Sequence, residues 1–395
     1  MIINLCGGSG GGSSTPIKLQ GLIARENGTY TPDEGYDGYS EVLVTVYDGF
    51  SGLDFSSIGY NTEFSQSIND KYNADIAYSK QLLDEWDNNT TNMYAKYSDN
   101  LSLVYAPAID TSNVYSMYGT FSGCQNLLYV PEMNTPKLTD TQFMFKGCNK
   151  LIKVSYFDTS KVTSMGRMFW GCSSLTTIPA FNTSNVTNMD VMFSECANLQ
   201  SIPMLDTSKV TTMSTMFSNC NSLTTIPLIN TSNVTNMQDM FENCKNLQSI
   251  PSLDTSNVTT MNGMFYNCFS LTTIPSINTS NVTSMYEMFY NCYSLTTIPL
   301  LDCSKVTSIG YIFYSCSKLT DIGGFKDLKI SATSYFLYNC PNLTVESLMN
   351  VINNVYDLTA NGLSGKSMEF GQTNLDKLTP EQIAVATSKG WTLTA

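Results

Sequence analysis

From about residue 104 the apolar positions recur every 24 residues. Phe121, Phe145, Phe169, Phe193, Phe217, Phe241, Phe265, Phe289 and Phe313 form one column, which Leu337 ends. Three residues after each stands a cysteine, from Cys124, Cys148, Cys172, Cys196 and Cys220 to Cys244, Cys268, Cys292, Cys316 and Cys340, without a slip. Leu127 through Leu343 follow three further on. Next come Val130, Val154, Ile178, Ile202, Ile226, Ile250, Ile274 and Ile298, with a proline after most of them, from Pro131 to Pro299. A Met column runs from Met165 to Met285. The polar positions keep step, as in Asp206-Thr207-Ser208-Lys209-Val210.

A fixed period of this length is the signature of a solenoid. One unit has too few apolar side chains to offset the entropy of ordering its own backbone, so each unit needs its neighbours. Within a unit, Leu-Thr-Thr-Ile-Pro reads as a short strand that proline ends. Asn-Val-Thr-x-Met reads as a second extended segment, and Met-Phe-x-x-Cys as a turn or 3₁₀ piece. Parallel strands about 4.8 Å apart give ten such coils a length of roughly 50 Å.

The flanks differ in character. Residues 1–16 form a Gly/Ser segment behind a short apolar tip, which reads as a flexible anchor. Residues 17–60 contain the turn signals Asn27-Gly28 and Asp37-Gly38 and a strand over Val42–Val46, which predicts a small β module. In 61–103, Ile68, Tyr72, Ile76, Leu82, Leu83 and Trp86 recur near helical spacing and predict a helical cap on the first coil. The solenoid is expected over 104–343. A C-terminal cap follows over 344–395, with a helix from Ser347 to Tyr356, a second from Pro380 to Ala386 and a closing strand at Trp391.

Composition narrows the functions. Charged residues make up only 13% of the chain, with 20 basic against 33 acidic residues and a net charge of −13. That balance excludes a nucleic-acid partner, because phosphate neutralisation needs clustered Lys and Arg. It also argues against an anionic membrane surface. The chain has no histidine, which removes the commonest general base and zinc ligand. No apolar run is long enough to cross a membrane, and the opening residues do not read as a signal peptide.

The motif Asp/Asn-Thr-Ser-Asn/Lys-Val-Thr-x-Met-x-x-Met-Phe-x-x-Cys-x-x-Leu-x-x-Ile-Pro, repeated over about 104–343, resembles the BspA-like leucine-rich repeats of bacteriophage tail or fibre proteins and bacterial surface adhesins. The resemblance implies a mainly β, leucine-rich-repeat-like solenoid of 24-residue coils, used for adhesion or recognition and carrying no catalytic residues. Residues 26–46 are similar to a small β module of phage fibres. The expectation is therefore a non-enzymatic virion component such as a tail or head fibre. Its N-terminal region would hold other virion proteins and its solenoid a host surface protein or glycan. A bacterial cell-surface BspA-like adhesin is the alternative. Homo-oligomerisation stays open, although no trimerisation heptad is present.

Candidate chemistry is sparse. Stacked cysteines fall within disulfide distance, but in-register side chains point the same way, so the ladder is expected to hold free, buried thiols. Identical stacked sites offer one ligand each, so no metal site or cofactor is expected. The column Asp158, Asn182, Asp206, Asn230, Asp254, Asn278, Asp302 reads as Asx turns, because alternating Asp with neutral Asn is a poor calcium set. A glycosidase would need paired acids, and no acidic cluster stands out along the repeats. The position two before each cysteine varies: Ser122, Lys146, Trp170, Ser194, Ser218 and Glu242 give way to Tyr266, Tyr290, Tyr314 and Tyr338. Phe269 and Tyr293 directly follow their cysteines. A column that changes while the core stays constant belongs on the surface, and stacked tyrosines suit sugar or protein recognition. These six residues are the candidate partner-binding set.

Overall fold

The computed structural model describes residues 74–75, 77–330 and 335–395, together with the backbone of four N-terminal strands. The chain forms two compact units: Met1–Glu85 with Ser102–Pro107, and Trp86–Leu101 with Ala108–Ala395. In the first, β1 (Ile2–Asn4), β2 (Leu22–Ala24), β3 (Tyr30–Pro32) and β4 (Glu41–Thr45) form one sheet in the order β1-β4-β2-β3. Of the expected strand at Val42–Val46, Val42–Thr45 fall on β4 and Val46 lies outside the described residues. Residues 77–84 are helical. The Gly/Ser stretch from residue 5 to 16 and the Ile68–Tyr72 part of the expected helix lie outside the described residues.

The second unit is a repeat solenoid. Its cause is visible in the backbone of each repeat. The residue five before each ladder cysteine has positive φ, as Arg167 (59°), Val191 (59°) and Thr215 (58°) show. So does the residue directly before it, from Gly123 (74°) to Asn219 (62°) and Asn339 (56°). These left-handed residues turn the chain sharply, and alternate N–H groups then point to the next repeat. Arg167 N donates to Asp190 O (2.9 Å), Phe169 N to Met192 O (3.0 Å) and Gly171 N to Ser194 O (2.9 Å). The intervening N–H groups close turns within the repeat, as Cys172 N does on Phe169 O (3.0 Å).

This geometry corrects the expected β content. Extended pairs between repeats are only two residues long: β5 (Tyr129–Val130) on β6 (Lys153–Val154), β7 (Thr297–Ile298) on β9 (Asp321–Ile322), and β8 (Leu301–Asp302) on β10 (Phe325–Lys326), all parallel. Elsewhere the repeats meet at single parallel bridges such as Ser164↔Asn188 and Asn188↔Thr212. Among the described residues no sheet closes on itself. The two left-handed residues of each repeat fall within or directly before the Met-Phe-x-x-Cys segment, the expected turn, while the two segments expected as strands pair over at most two residues, so the unit is not mainly β.

The recurring apolar columns all face inward. Phe145, Phe169, Phe193, Phe217, Phe241, Phe265 and Phe289 have no exposed surface. Their rings stack repeat on repeat, Phe193–Phe217 at 5.7 Å and 11°, Phe217–Phe241 at 5.6 Å and 6°. Burying one such ring is worth about 1.5–3 kcal/mol before stacking is counted. The Met, Leu and Cys columns line the same interior.

The solenoid begins one repeat earlier than expected. Trp86–Leu101 belongs to the stacked unit, not to a helical cap. Tyr97 occupies the Phe position and stacks on Phe121 at 5.6 Å, Asn92 bridges to Ser116, and the Cys124 thiol donates to Tyr97 O (2.9 Å). The substitutions of Tyr97 for Phe and Asn100 for Cys hide this repeat from the column reading.

At the other end the cap follows the expectation with shifted limits. The first helix is Val345–Asn354, with Thr344 as its N-cap accepting from Ser347 N. Ser347 Oγ in turn accepts from Ile322 N (2.8 Å), which ties the helix to the last strands. Pro380–Ser388 is the second helix, opened by a Thr379–Gln382 capping box. Trp391–Thr394 forms a strand, paired in parallel with an unexpected partner, Lys366–Glu369. Lys377 Nζ donates to Pro341 O (2.7 Å) and Leu343 O (2.8 Å), and Leu337 N donates to Glu369 O (3.2 Å). The cap thus takes up backbone groups at the end of the stack that have no next repeat to pair with.

Candidate functional site

The cysteine ladder is structural. All cysteines among the described residues are free and buried. Each ladder thiol is satisfied by a carbonyl of the preceding repeat: Cys196 donates to Phe169 O (3.1 Å) and Cys220 to Phe193 O (3.1 Å). Burial pushes Cys124 up to about 11 and Cys244 up to about 12, so neither is a thiolate near neutrality. The Asp/Asn column forms Asx turns as expected: Asp158 Oδ1 accepts from Ser160 N (2.9 Å), Asn230 Oδ1 from Ser232 N (3.0 Å) and Asp302 Oδ1 from Ser304 N (3.0 Å). The serine two residues on holds these carboxylates below their usual range, Asp206 and Asp254 through its hydroxyl and then its backbone N–H, Asp158 through its backbone N–H and then its hydroxyl. The threonine beside them has a role that the column reading missed. It is buried, and its hydroxyl bonds the next repeat, as Thr207 Oγ1 does on Asn230 O (2.8 Å).

The tyrosine column forms a continuous stack. Tyr266 and Tyr290 lie 4.7 Å apart at 12°, Tyr290 and Tyr314 4.5 Å apart at 4°, and Tyr314 and Tyr338 5.1 Å apart at 15°. Phe269 and Tyr293 stack beside it at 5.1 Å. Three further rings, which the sequence reading did not single out as site residues, widen the patch. Tyr335 stands edge-on to Tyr338 (5.2 Å) and tilted to Tyr311 (5.0 Å), and Tyr286 stands edge-on to Tyr311 (5.8 Å). The rings support one another and still reach solvent: Tyr286, Tyr293, Tyr335 and Tyr338 are 38–43% exposed.

The same column is not uniformly outward. Ser194 and Ser218 are buried, because a small side chain there is covered by its neighbours. The Ser218 hydroxyl lies under Glu242 and donates to its Oε2 (2.9 Å). Lys146 sits over the Trp170 ring at 4.7 Å, and Arg167 over Phe143 at 5.4 Å. In the two variable columns, two and five residues before each cysteine, the cations and rings of residues 143–170 give way to Val191, Ser194, Thr215 and Ser218, then to Asp239 and Glu242, and then to tyrosines with Glu287 among them.

Where acids meet tyrosines there is a groove of about 410 Å³, lined by Asp239, Glu242, Glu287, Tyr266, Tyr286 and Gly263, with Gln238 and Asn262 beside them. Stacking brings together carboxylates that the linear reading kept apart. Asp239, Gly263 and Glu287 occupy one column on three successive repeats. A Cβ at Gly263 would run into the Asp239 carboxylate, so the missing side chain makes room for that carboxylate to lie over the next repeat. Burial raises Asp239, Glu242 and Glu287. The other acids' negative charge adds to this for Glu242, and that of Asp239 adds to it for Glu287. Tyr266 is raised by burial, then by Glu287 and Glu242. Among the described residues no three acidic or cysteine side chains converge closely enough to hold a metal ion, and no helix is long and apolar enough to cross a membrane.

Several solved structures are similar to this chain. A leucine-rich repeat protein from Bacteroides ovatus is 18% identical, covering 74% of this chain and 92% of its own, with a TM-score of 0.35. One from Eubacterium ventriosum is 20% identical over 62% of this chain and 78% of its own, with a TM-score of 0.35. A leucine-rich cell surface protein from Faecalibacterium prausnitzii is 19% identical over 55% of this chain and 78% of its own, at 0.26. No curated protein matches the chain. The model of the family described as Mycoplasma protein of unknown function, DUF285, matches residues 62–154, 139–249, 221–324 and 245–351. With these overlapping matches running from residue 62 to residue 351, well over half of its length, the chain belongs to the DUF285 family.

Proposed function

We propose that this chain is a non-enzymatic binding module of the bacterial cell-surface, adhesin-type kind, and that its recognition face is the tyrosine stack. The observation that carries this reading is the row Tyr266, Tyr290, Tyr314 and Tyr338, flanked by Phe269 and Tyr293. The rings are held rigid by each other, so a partner that docks on them restricts little further motion. Their flat faces and hydroxyl tips match what interfaces use as anchors. The partner class is a host surface protein or glycan. The virion reading from the sequence finds no support in the comparisons, and the cell-surface alternative takes its place.

The test is retention of the purified chain on surfaces coated with fibronectin, collagen or mucin glycans. The wild type is expected to be retained on at least one coating. Tyr290→Ala/Tyr314→Ala/Tyr338→Ala is expected to lose that retention with an unchanged circular dichroism spectrum. Equal retention of the two chains, or no retention of the wild type on any coating, overturns the assignment.

A further inference from the structure

The groove beside Tyr266 and Tyr286 differs from the rest of the tyrosine face. It is a space of about 410 Å³ with two ring walls and three carboxylates, where Gly263 leaves room for the Asp239 carboxylate. None of the three acids is neutralised from within. The one ion pair formed among the described residues, Lys326–Asp302, lies elsewhere. Asp239 is hydrogen-bonded by Gln238 (3.0 Å), and Glu242 by Ser218 (2.9 Å) and Asn243 (3.3 Å), all neutral donors. The mutual repulsion of the acids is therefore left for a ligand to relieve.

We infer that this groove binds an organic cation, the guanidinium or ammonium head of a basic side chain presented by a partner protein. The inference rests on the binding-module reading and names what one part of that surface takes. A metal ion is the wrong size, since the acids do not converge on one point. A neutral sugar fits the rings but leaves the repulsion uncompensated. A planar guanidinium does both jobs, bonding carboxylates at its edge and stacking a ring with its face. The chain already sets its own cations over rings on earlier repeats of the same columns, Lys146 over Trp170 at 4.7 Å and Arg167 over Phe143 at 5.4 Å. In the groove the rings and acids are present and the cation has to come from outside.

The experiment uses fluorescence anisotropy with a labelled tetra-arginine peptide and chitotetraose as neutral competitor. The wild-type chain is expected to bind the peptide, and chitotetraose is expected not to displace it. Glu242→Gln/Glu287→Gln should weaken binding at least tenfold, and Tyr286→Ala severalfold. Removing two charges elsewhere, with Asp321→Asn/Glu346→Gln, should leave binding within twofold. Failure of the wild type to bind, survival of binding in Glu242→Gln/Glu287→Gln, or an equal loss in the Asp321/Glu346 control overturns the inference. Tyr314→Ala/Tyr338→Ala separates it from the broader reading. Those residues lie outside the groove, so that variant should keep peptide binding even where it loses retention on coated surfaces.

Discussion

The inside and the outside of the repeats obey different rules. Inside, Phe193, Phe217 and Phe241 or Cys196, Cys220 and Cys244 are the same residue in the same place, each fully buried against its copy in the next repeat. Outside, the two columns around Asp239 and Glu242 change along the solenoid, from Lys146 and Arg167 through Asp239 and Glu242 to Tyr311 and Tyr314. An interior position must fit its own copy above and below, so a change in one repeat leaves a misfit in two neighbours. An outward position meets only its flanking side chains and water, so its chemistry is free to serve a partner. Constancy marks what holds the stack, and variation marks what the stack presents.

Three substitutions sharpen that contrast. The largest loss is expected from Phe217→Ala, which empties a space shared by two stacking partners. It should cost about 3–5 kcal/mol, read as a lowered midpoint in urea with Phe313→Ala as an end-of-stack comparison. Next is Thr207→Val, which keeps shape but removes a hydroxyl that donates to Asn230 O and accepts from Asn230 N, both at 2.8 Å. Leaving these buried groups unpaired should cost about 1–3 kcal/mol. The smallest effect belongs to Tyr290→Ala on the outer face. It loses ring stacking on two sides, yet should lower stability by no more than about 1 kcal/mol. An outer-face loss as large as that of Phe217→Ala would break the division between the two sets of columns.

Much of the interior was legible from spacing alone. The Phe, Cys, Leu and Met columns, the free thiols, the Asx turns and the C-terminal helices all follow from local chemistry repeated at one period. What stayed hidden depended on the third dimension. The left-handed position held by Val191, Thr215 and Tyr311 has no residue preference and so leaves no trace in the sequence. The matching position before each cysteine does leave one, in its Gly and Asn residues (Gly147, Asn219, Asn291), and it falls in the Met-Phe-x-x-Cys stretch that reads as a turn. The first repeat was masked because Tyr97 and Asn100 replace its two most recognisable residues. The groove was invisible because Asp239 and Glu287 are two repeats apart in sequence and become neighbours only by stacking across Gly263.

The central claim, that the recurring residues lie inside a stack and leave the variable ones to face partners, is tested most directly by titrating thiols with an aromatic disulfide reagent. In the native chain the ladder cysteines from Cys124 to Cys340, and Cys303 with them, should stay unreacted over hours and should react together only when denaturant unfolds the repeats. Prompt reaction of the ladder in native buffer, with the circular dichroism spectrum unchanged, would contradict the account.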